Sequence, residues 1–236
     1  MSDILLVHGS CHGAWCWRDL EPALQAFGHD TTSIDMPSHG ADPTPLDEVT
    51  LDSCARTVVD ALHDGIFVLA HSWGGFPAAR AADLAPDRIA RLIFLCAYAP
   101  WDGYSLADMR RAAPRQLLTH AIVRSDDGKS FAIDPAHTRD VFYHDCPQGT
   151  LVTALARLSP QAILPQETPI TLGQGYSDVP KSYICCTEDR TIPPEFQTTM
   201  SQGFPPQDVY EMHTGHSPFF ADPKGLARLV DQIVTA

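Results

Sequence analysis

Six short β-rich runs punctuate the chain, at residues 4–7, 31–34, 66–69, 92–95, 182–185 and 208–212. Most are nearly continuous apolar stretches rather than alternating ones, the pattern of strands covered on both faces. Between them the spacing becomes helical. Residues 17–26 carry Trp17, Leu20 and Leu24, with Phe27 just beyond. Residues 51–62 carry Leu51, Ala55, Val58, Val59 and Leu62, and Thr50 stands where an N-cap belongs. Residues 76–84 and 225–234 complete the set. Strands alternating with helices over short connections predict an α/β fold, with about six mainly parallel strands flanked by helices on both faces.

The alternation stops between Trp101 and Pro180. That stretch is richer in Pro, Gln and Arg, and its helical pieces, 105–113, 135–143 and 149–158, are separated by Pro and Gly. It has no convincing strand of the main sheet. The expected organisation is a core of residues 1–100 and 181–236 with an inserted helical cap subdomain at 101–180, a size that suits one chain of 236 residues.

Composition narrows the function classes. A hydrophobic fraction of 44% is that of an ordinary globule, and no stretch approaches the roughly 18 apolar residues of a membrane span. The first eight residues read as a strand rather than a signal peptide, so a cytoplasmic location is the default expectation. A formal charge of −13 argues against nucleic acid and anionic membranes as partners. The seven cysteines have no framework spacing and several lie in apolar runs, where they behave as small buried hydrophobes. The pairs His8/His12 and His213/His216 lack Cys or acidic partners at ligand spacing, so no metal is expected.

The chemistry begins at Ala70-His71-Ser72-Trp73-Gly74-Gly75, which joins the third strand to a helix. Small residues on either side of a serine allow the strained turn that lifts its hydroxyl out of the sheet at a helix N-terminus. Ala70 replaces the usual first glycine of such a turn. Ser72 is therefore the expected nucleophile. After the first strand comes Val7-His8-Gly9-Ser10-Cys11-His12-Gly13. This loop can bring the Ser10 N–H beside the N–H of Trp73, giving two donors for an oxyanion. It lacks the order and the Lys of a phosphate loop. His12 is expected to hold the loop by hydrogen bonds. Gly9, Cys11 and His71 adjoin these segments and Trp101 opens the cap; these four are expected to contact the substrate.

A serine needs a base, and the base an orienting carboxylate. Beyond the fifth strand lies Thr187-Glu188-Asp189-Arg190, and beyond the sixth His213-Thr214-Gly215-His216. Asp189 is preferred to Glu188 and Asp102, and His216 to His213.

With these segments together the sequence resembles the branch of the α/β-hydrolase superfamily that holds plant hydroxynitrile lyases, plant methyl esterases and small bacterial carboxylesterases. The resemblance rests on residues 8–15, 70–75, 186–197 and 214–216, and more loosely on Phe142-Tyr143-His144-Asp145-Cys146 in the cap. It implies a six-stranded core under a helical cap, no cofactor, and often a homodimer. Lyases of this branch carry Thr at the position of Gly9 and Lys at that of Ser217. The expected activity is thus hydrolysis of a small-molecule ester through Ser72, His216 and Asp189. The alternatives are lyase-type C–C cleavage or a non-catalytic small-molecule binder on the same scaffold.

Overall fold

The computed structural model describes all 236 residues. Four strands open the chain: β1 (Asp3–Val7), β2 (Asp30–Ile34), β3 (Ile66–His71) and β4 (Ile89–Leu95). Three helices lie between and after them: α1 (Leu20–Gln25), α2 (Leu51–Asp60) and α3 (Gly75–Leu84). After the insertion the core resumes with β8 (Lys181–Cys186), α9 (Pro194–Ser201), β9 (Val209–Met212), α10 (Pro218–Ala221) and α11 (Pro223–Thr235). The six core strands form one sheet in the order β2-β1-β3-β4-β8-β9, and every pair is parallel. All six runs read from the sequence are strands of this sheet.

Period-two alternation divides each strand between two cores. Leu5 and Val7 of β1 join Val68, Ala70, Leu92 and Phe94 under α2, α3 and α9. Ile4 and Leu6 face the other way, with Leu69, Ile93 and Leu95, and meet Leu20 and Leu24 of α1 and Leu226, Val230 and Ile233 of α11. A strand buried on both faces has no polar side to show, which is why the runs read as continuous. Thr50 does cap α2: its side chain accepts from the Ser53 N–H, and the Ser53 hydroxyl accepts from the Thr50 N–H. No helix is long and apolar enough to cross a membrane.

The insertion departs from its expected helical character. It holds α4 (Leu106–Ala112), α5 (Pro135–Phe142), α6 (Thr150–Leu155), α7 (Leu164–Glu167) and α8 (Gln174–Asp178). It also holds a three-stranded antiparallel sheet of β5 (Ile122–Arg124), β6 (Ser130–Ile133) and β7 (Gln161–Ala162). These strands are too short to leave a periodic signature. The signal that could have found their turn is Asp127-Gly128, which lies between Ile122-Val123 and Phe131-Ala132 and which the helical reading of the insertion leaves out. The Asp127 carboxylate accepts from the Lys129 N–H and the Ser125 hydroxyl, and Gly128 takes φ +69°.

Candidate active site

β3 ends in a sharp turn that leaves Ser72 at φ +54°, a conformation rare for any residue with a side chain. The turn survives because its neighbours are small. A Cβ on Gly75 would run into the carbonyl oxygen of Tyr98, and one on Gly9 would lie 2.8 Å from Ser72 Cβ and 2.9 Å from His71 Nδ1. The first loop therefore presses against the serine turn as only glycine permits.

The loops after β8 and β9 bring the other two residues to the serine. His216 Nε2 lies 3.0 Å from Ser72 Oγ, and His216 Nδ1 lies 2.8 Å from Asp189 Oδ2. All three residues are buried. Asp189 Oδ1 accepts from the N–H groups of Thr191 (2.6 Å) and Ile192 (3.0 Å), while Oδ2 also accepts from Gln197 Nε2 at 2.9 Å. Gln197 is itself fixed, accepting from the Cys186 N–H and donating to the Ile192 carbonyl. With its carboxylate held from four sides, Asp189 can only accept, so the His216 proton sits on Nδ1 and Nε2 faces the serine hydroxyl as an acceptor. The competing residues lie elsewhere. Glu188 is exposed, Asp102 accepts from the Leu172 N–H, and His213 bonds the Thr187 hydroxyl.

Ser10 lies beside this group, and its side-chain oxygen accepts from Gln166 Nε2 of α7 at 2.7 Å. His12 Nδ1 donates to the Ser10 carbonyl at 2.8 Å, which leaves Nε2 to accept from the Tyr143 hydroxyl at 2.6 Å. Ser10 is thereby held in the wall of the cavity beside Ser72. The Trp73 N–H belongs to the first turn after the strand, where backbone donors have no partner within the helix.

A narrow cavity above Ser72 is lined by Ser10, His71, Trp73 and His216 of the core, together with Leu106, Arg110, Leu118, Phe131, Phe142 and Gln166 of the insertion. The free volume left among them is only about 20 Å³, room for about one water molecule. Of the four residues expected to contact a substrate, only His71 lines this space. Gly9 lies beneath the serine turn. Cys11 is buried at φ +63° with its N–H towards Gln161 Oε1, and Trp101 packs edge-on against Tyr104 and Phe196. Gln166 and Tyr143, the partner of His12, were not legible as site residues, since each acts through a contact between segments distant in sequence, and Gln197 carried no signal for its contact with Asp189. The largest surface hollow, about 490 Å³, lies outside the His216 loop among Asp145, Glu188, Glu211 and Asp222 and contains none of the three central residues.

One stretch of the insertion touches the loops that carry Asp189, His216 and Ser10. The Val141 carbonyl accepts from the Thr191 hydroxyl at 2.7 Å, and Asp140 pairs with Arg190. Phe142 stacks on the His216 ring with centroids 5.7 Å apart. Tyr143 holds His12, and Asp145 Oδ2 accepts from the Gly215 N–H at 2.6 Å.

Ligand atoms of His71, Cys96 and His216 lie within 4.8 Å of one another. Both His216 ring nitrogens are already engaged, however, and His71 Nε2 donates to the His216 carbonyl at 2.8 Å. A metal there would have to displace the contacts that orient the histidine.

Four buried histidines surround the site with depressed pKa values. Burial is the main cause for each, and it moves His12 from 6.5 to about 4. It holds His8 and His71 well below the ordinary value and lowers His39. Neighbouring imidazoles add to the effect on His8, His12 and His71. The unfolded chain therefore binds more protons than the folded one once the pH falls below about 6.5. Stability is full above that value and declines on acidification, His12 contributing down to about 4. Urea denaturation at about pH 5 should give a lower midpoint than at about pH 7.5. An unchanged midpoint would contradict the neutral state of these rings.

Residues 4–229 match the Alpha/beta hydrolase family. The chain is 32% identical to Methylesterase 4 of Arabidopsis thaliana, over 97% of this chain and 95% of that protein. It is 30% identical to Esterase PIR7B of Oryza sativa subsp. japonica, over 97% and 94% respectively. Among solved structures it is similar to a pyrethroid hydrolase from Sphingobium faniae JZ-2, with a TM-score of 0.89 at 26% identity, covering 100% of this chain and 98% of that one.

Proposed function

We propose that this chain, which belongs to the alpha/beta hydrolase family and is a carboxylic ester hydrolase, cleaves small esters, methyl esters among them, through an acyl-enzyme on Ser72. The observation that supports this most is the connected line Asp189–His216–Ser72, at 2.8 and 3.0 Å, opening on a narrow cavity.

Ser72 Oγ attacks the ester carbonyl carbon while its proton passes to His216 Nε2. Asp189 stabilises the resulting imidazolium through Nδ1–H. The N–H groups of Ser10 and Trp73 receive the oxyanion, and two such donors contribute several kcal/mol to the transition state. His216 then gives the proton to the departing alkoxide, which leaves as alcohol. A water, deprotonated by His216, attacks the acyl carbon, and the serine takes the proton back as the acid leaves. Because the narrow cavity has room for about one water, the insertion must shift to admit an ester.

Cyanohydrin cleavage finds no support here. A side chain at position 9 would collide with Ser72 and His71, and the residue after His216 is the uncharged, buried Ser217. Purified protein should hydrolyse p-nitrophenyl acetate with a burst equal to the enzyme concentration and release no cyanide from mandelonitrile. Absence of ester turnover would overturn the reading, and so would cyanide release at a comparable rate.

A further inference from the structure

The cavity above Ser72 has one cationic wall residue, Arg110, in the last turn of α4. An arginine in that position ordinarily turns to solvent or to a nearby acid, where it also favours the helix C-terminus. Its neighbours do so: Arg111 pairs with Asp108, Arg115 with Glu195 and Arg124 with Glu167. The guanidinium of Arg110 takes part in no ion pair or hydrogen bond of the protein, whereas its backbone carbonyl accepts from Gln116 and from the Ala113 N–H. Burial pushes the Tyr98 hydroxyl up, and the charge of Arg110 acts on it in the opposite direction, which places that charge close to the cavity wall.

Arg110 has a second neighbourhood. Together with Phe131 and Gln166 it also lines an outer recess of about 230 Å³. These three side chains line both spaces, so the recess and the cavity over Ser72 share a wall that a displacement of Arg110 would open. The joined space would reach from the serine hydroxyl, past the apolar Leu106, Leu118 and Phe131, to a guanidinium free to bind. The only carboxylate lining the recess, Glu167, is opposed by Arg124. The protein as a whole is strongly acidic, so an unpartnered cation in its catalytic cavity runs against the general charge.

We propose that Arg110 selects esters that also carry a free carboxylate, such as half-esters of short dicarboxylic acids, with the ester carbonyl at Ser72 and the carboxylate towards the outer recess. Guanidinium and carboxylate match as a two-point pair, and in a cavity sheltered from water the pair discriminates strongly against a neutral isostere. The inference rests on Ser72 as the nucleophile.

The test compares monomethyl succinate, glutarate and adipate with dimethyl glutarate and methyl pentanoate, using wild type, Arg110→Gln and Arg110→Lys. Wild type should favour at least one half-ester over the neutral esters in kcat/KM by about tenfold or more. In Arg110→Gln that ratio should fall about 10- to 100-fold, chiefly through KM, and Arg110→Lys should recover part of it. Neutral esters turned over without preference for half-esters would overturn the proposal and leave Ser72 in place. A preference that survives Arg110→Gln would overturn it as well. No turnover of any ester would remove both readings together.

Discussion

Replacing Ser72 by alanine is expected to lower kcat for ester hydrolysis by about 10⁴- to 10⁶-fold. The substitution deletes the atom that His216 Nε2 faces at 3.0 Å and leaves the rest of the constellation in place. Of the other aliphatic hydroxyls at the cavity, that of Ser10 is engaged by Gln166 and that of Thr191 by the Val141 carbonyl. Folding should be unaffected, because alanine at φ +54° carries about the same backbone strain as serine. Steady-state assays on p-nitrophenyl acetate, with circular dichroism to verify the fold, measure the effect. Residual activity within about tenfold of wild type would rule out Ser72 as the nucleophile.

Asp189→Asn should be almost as damaging, with kcat reduced about 10⁴-fold while KM changes little. The reason lies in which atoms surround the carboxylate. Oδ1 receives two backbone N–H groups, from Thr191 and Ile192. An asparagine keeps its carbonyl oxygen there, so its NH₂ group must occupy the place of Oδ2. That place faces two donors, His216 Nδ1–H and Gln197 Nε2. The imidazole can answer only by moving its proton to Nε2, and in that tautomer it cannot accept a proton from Ser72. The clash with Gln197 should also reduce stability, by about 1–3 kcal/mol for a buried donor left without an acceptor. A variant that retains more than about a tenth of wild-type kcat would mean that another group orients His216.

The core was legible because its signals are local. Apolar runs marked β1, β3, β4 and β8, which are covered on both faces, while the edge strands β2 and β9 are only partly buried and were marked by their β-rich composition. Thr50 marked the start of α2 because capping is a property of four consecutive residues. Ser72, Asp189 and His216 could be placed because each sits just past a strand end, where side chains converge in a parallel sheet. The insertion was less legible. Its small sheet is made of strands two to four residues long, and their pairing is with one another rather than with the core. Trp101 was expected at the pocket on its nearness to a strand end, yet its ring is occupied by Tyr104 and Phe196. Arg110 carries no motif, and Gln197 ends the 186–197 segment without a role that can be read from it. Their roles arise from where α9 and α4 dock, and docking is a long-range outcome that a local pattern does not contain.

The stretch from Asp140 to Asp145 touches the loops of Asp189 and His216 and, through Tyr143 and His12, the loop that carries Ser10. Although it is spliced in with the insertion, it belongs mechanically to the core. A hybrid enzyme made by exchanging the whole of residues 101–180 would follow the visible seam and yet separate His12, Gly215 and Thr191 from the partners that hold them. An exchange limited to residues 105–133 would replace the walls formed by Leu106, Arg110, Leu118 and Phe131 and leave those anchors untouched. For anyone recombining such proteins to change what they accept, the productive junction lies inside the insertion, short of α5.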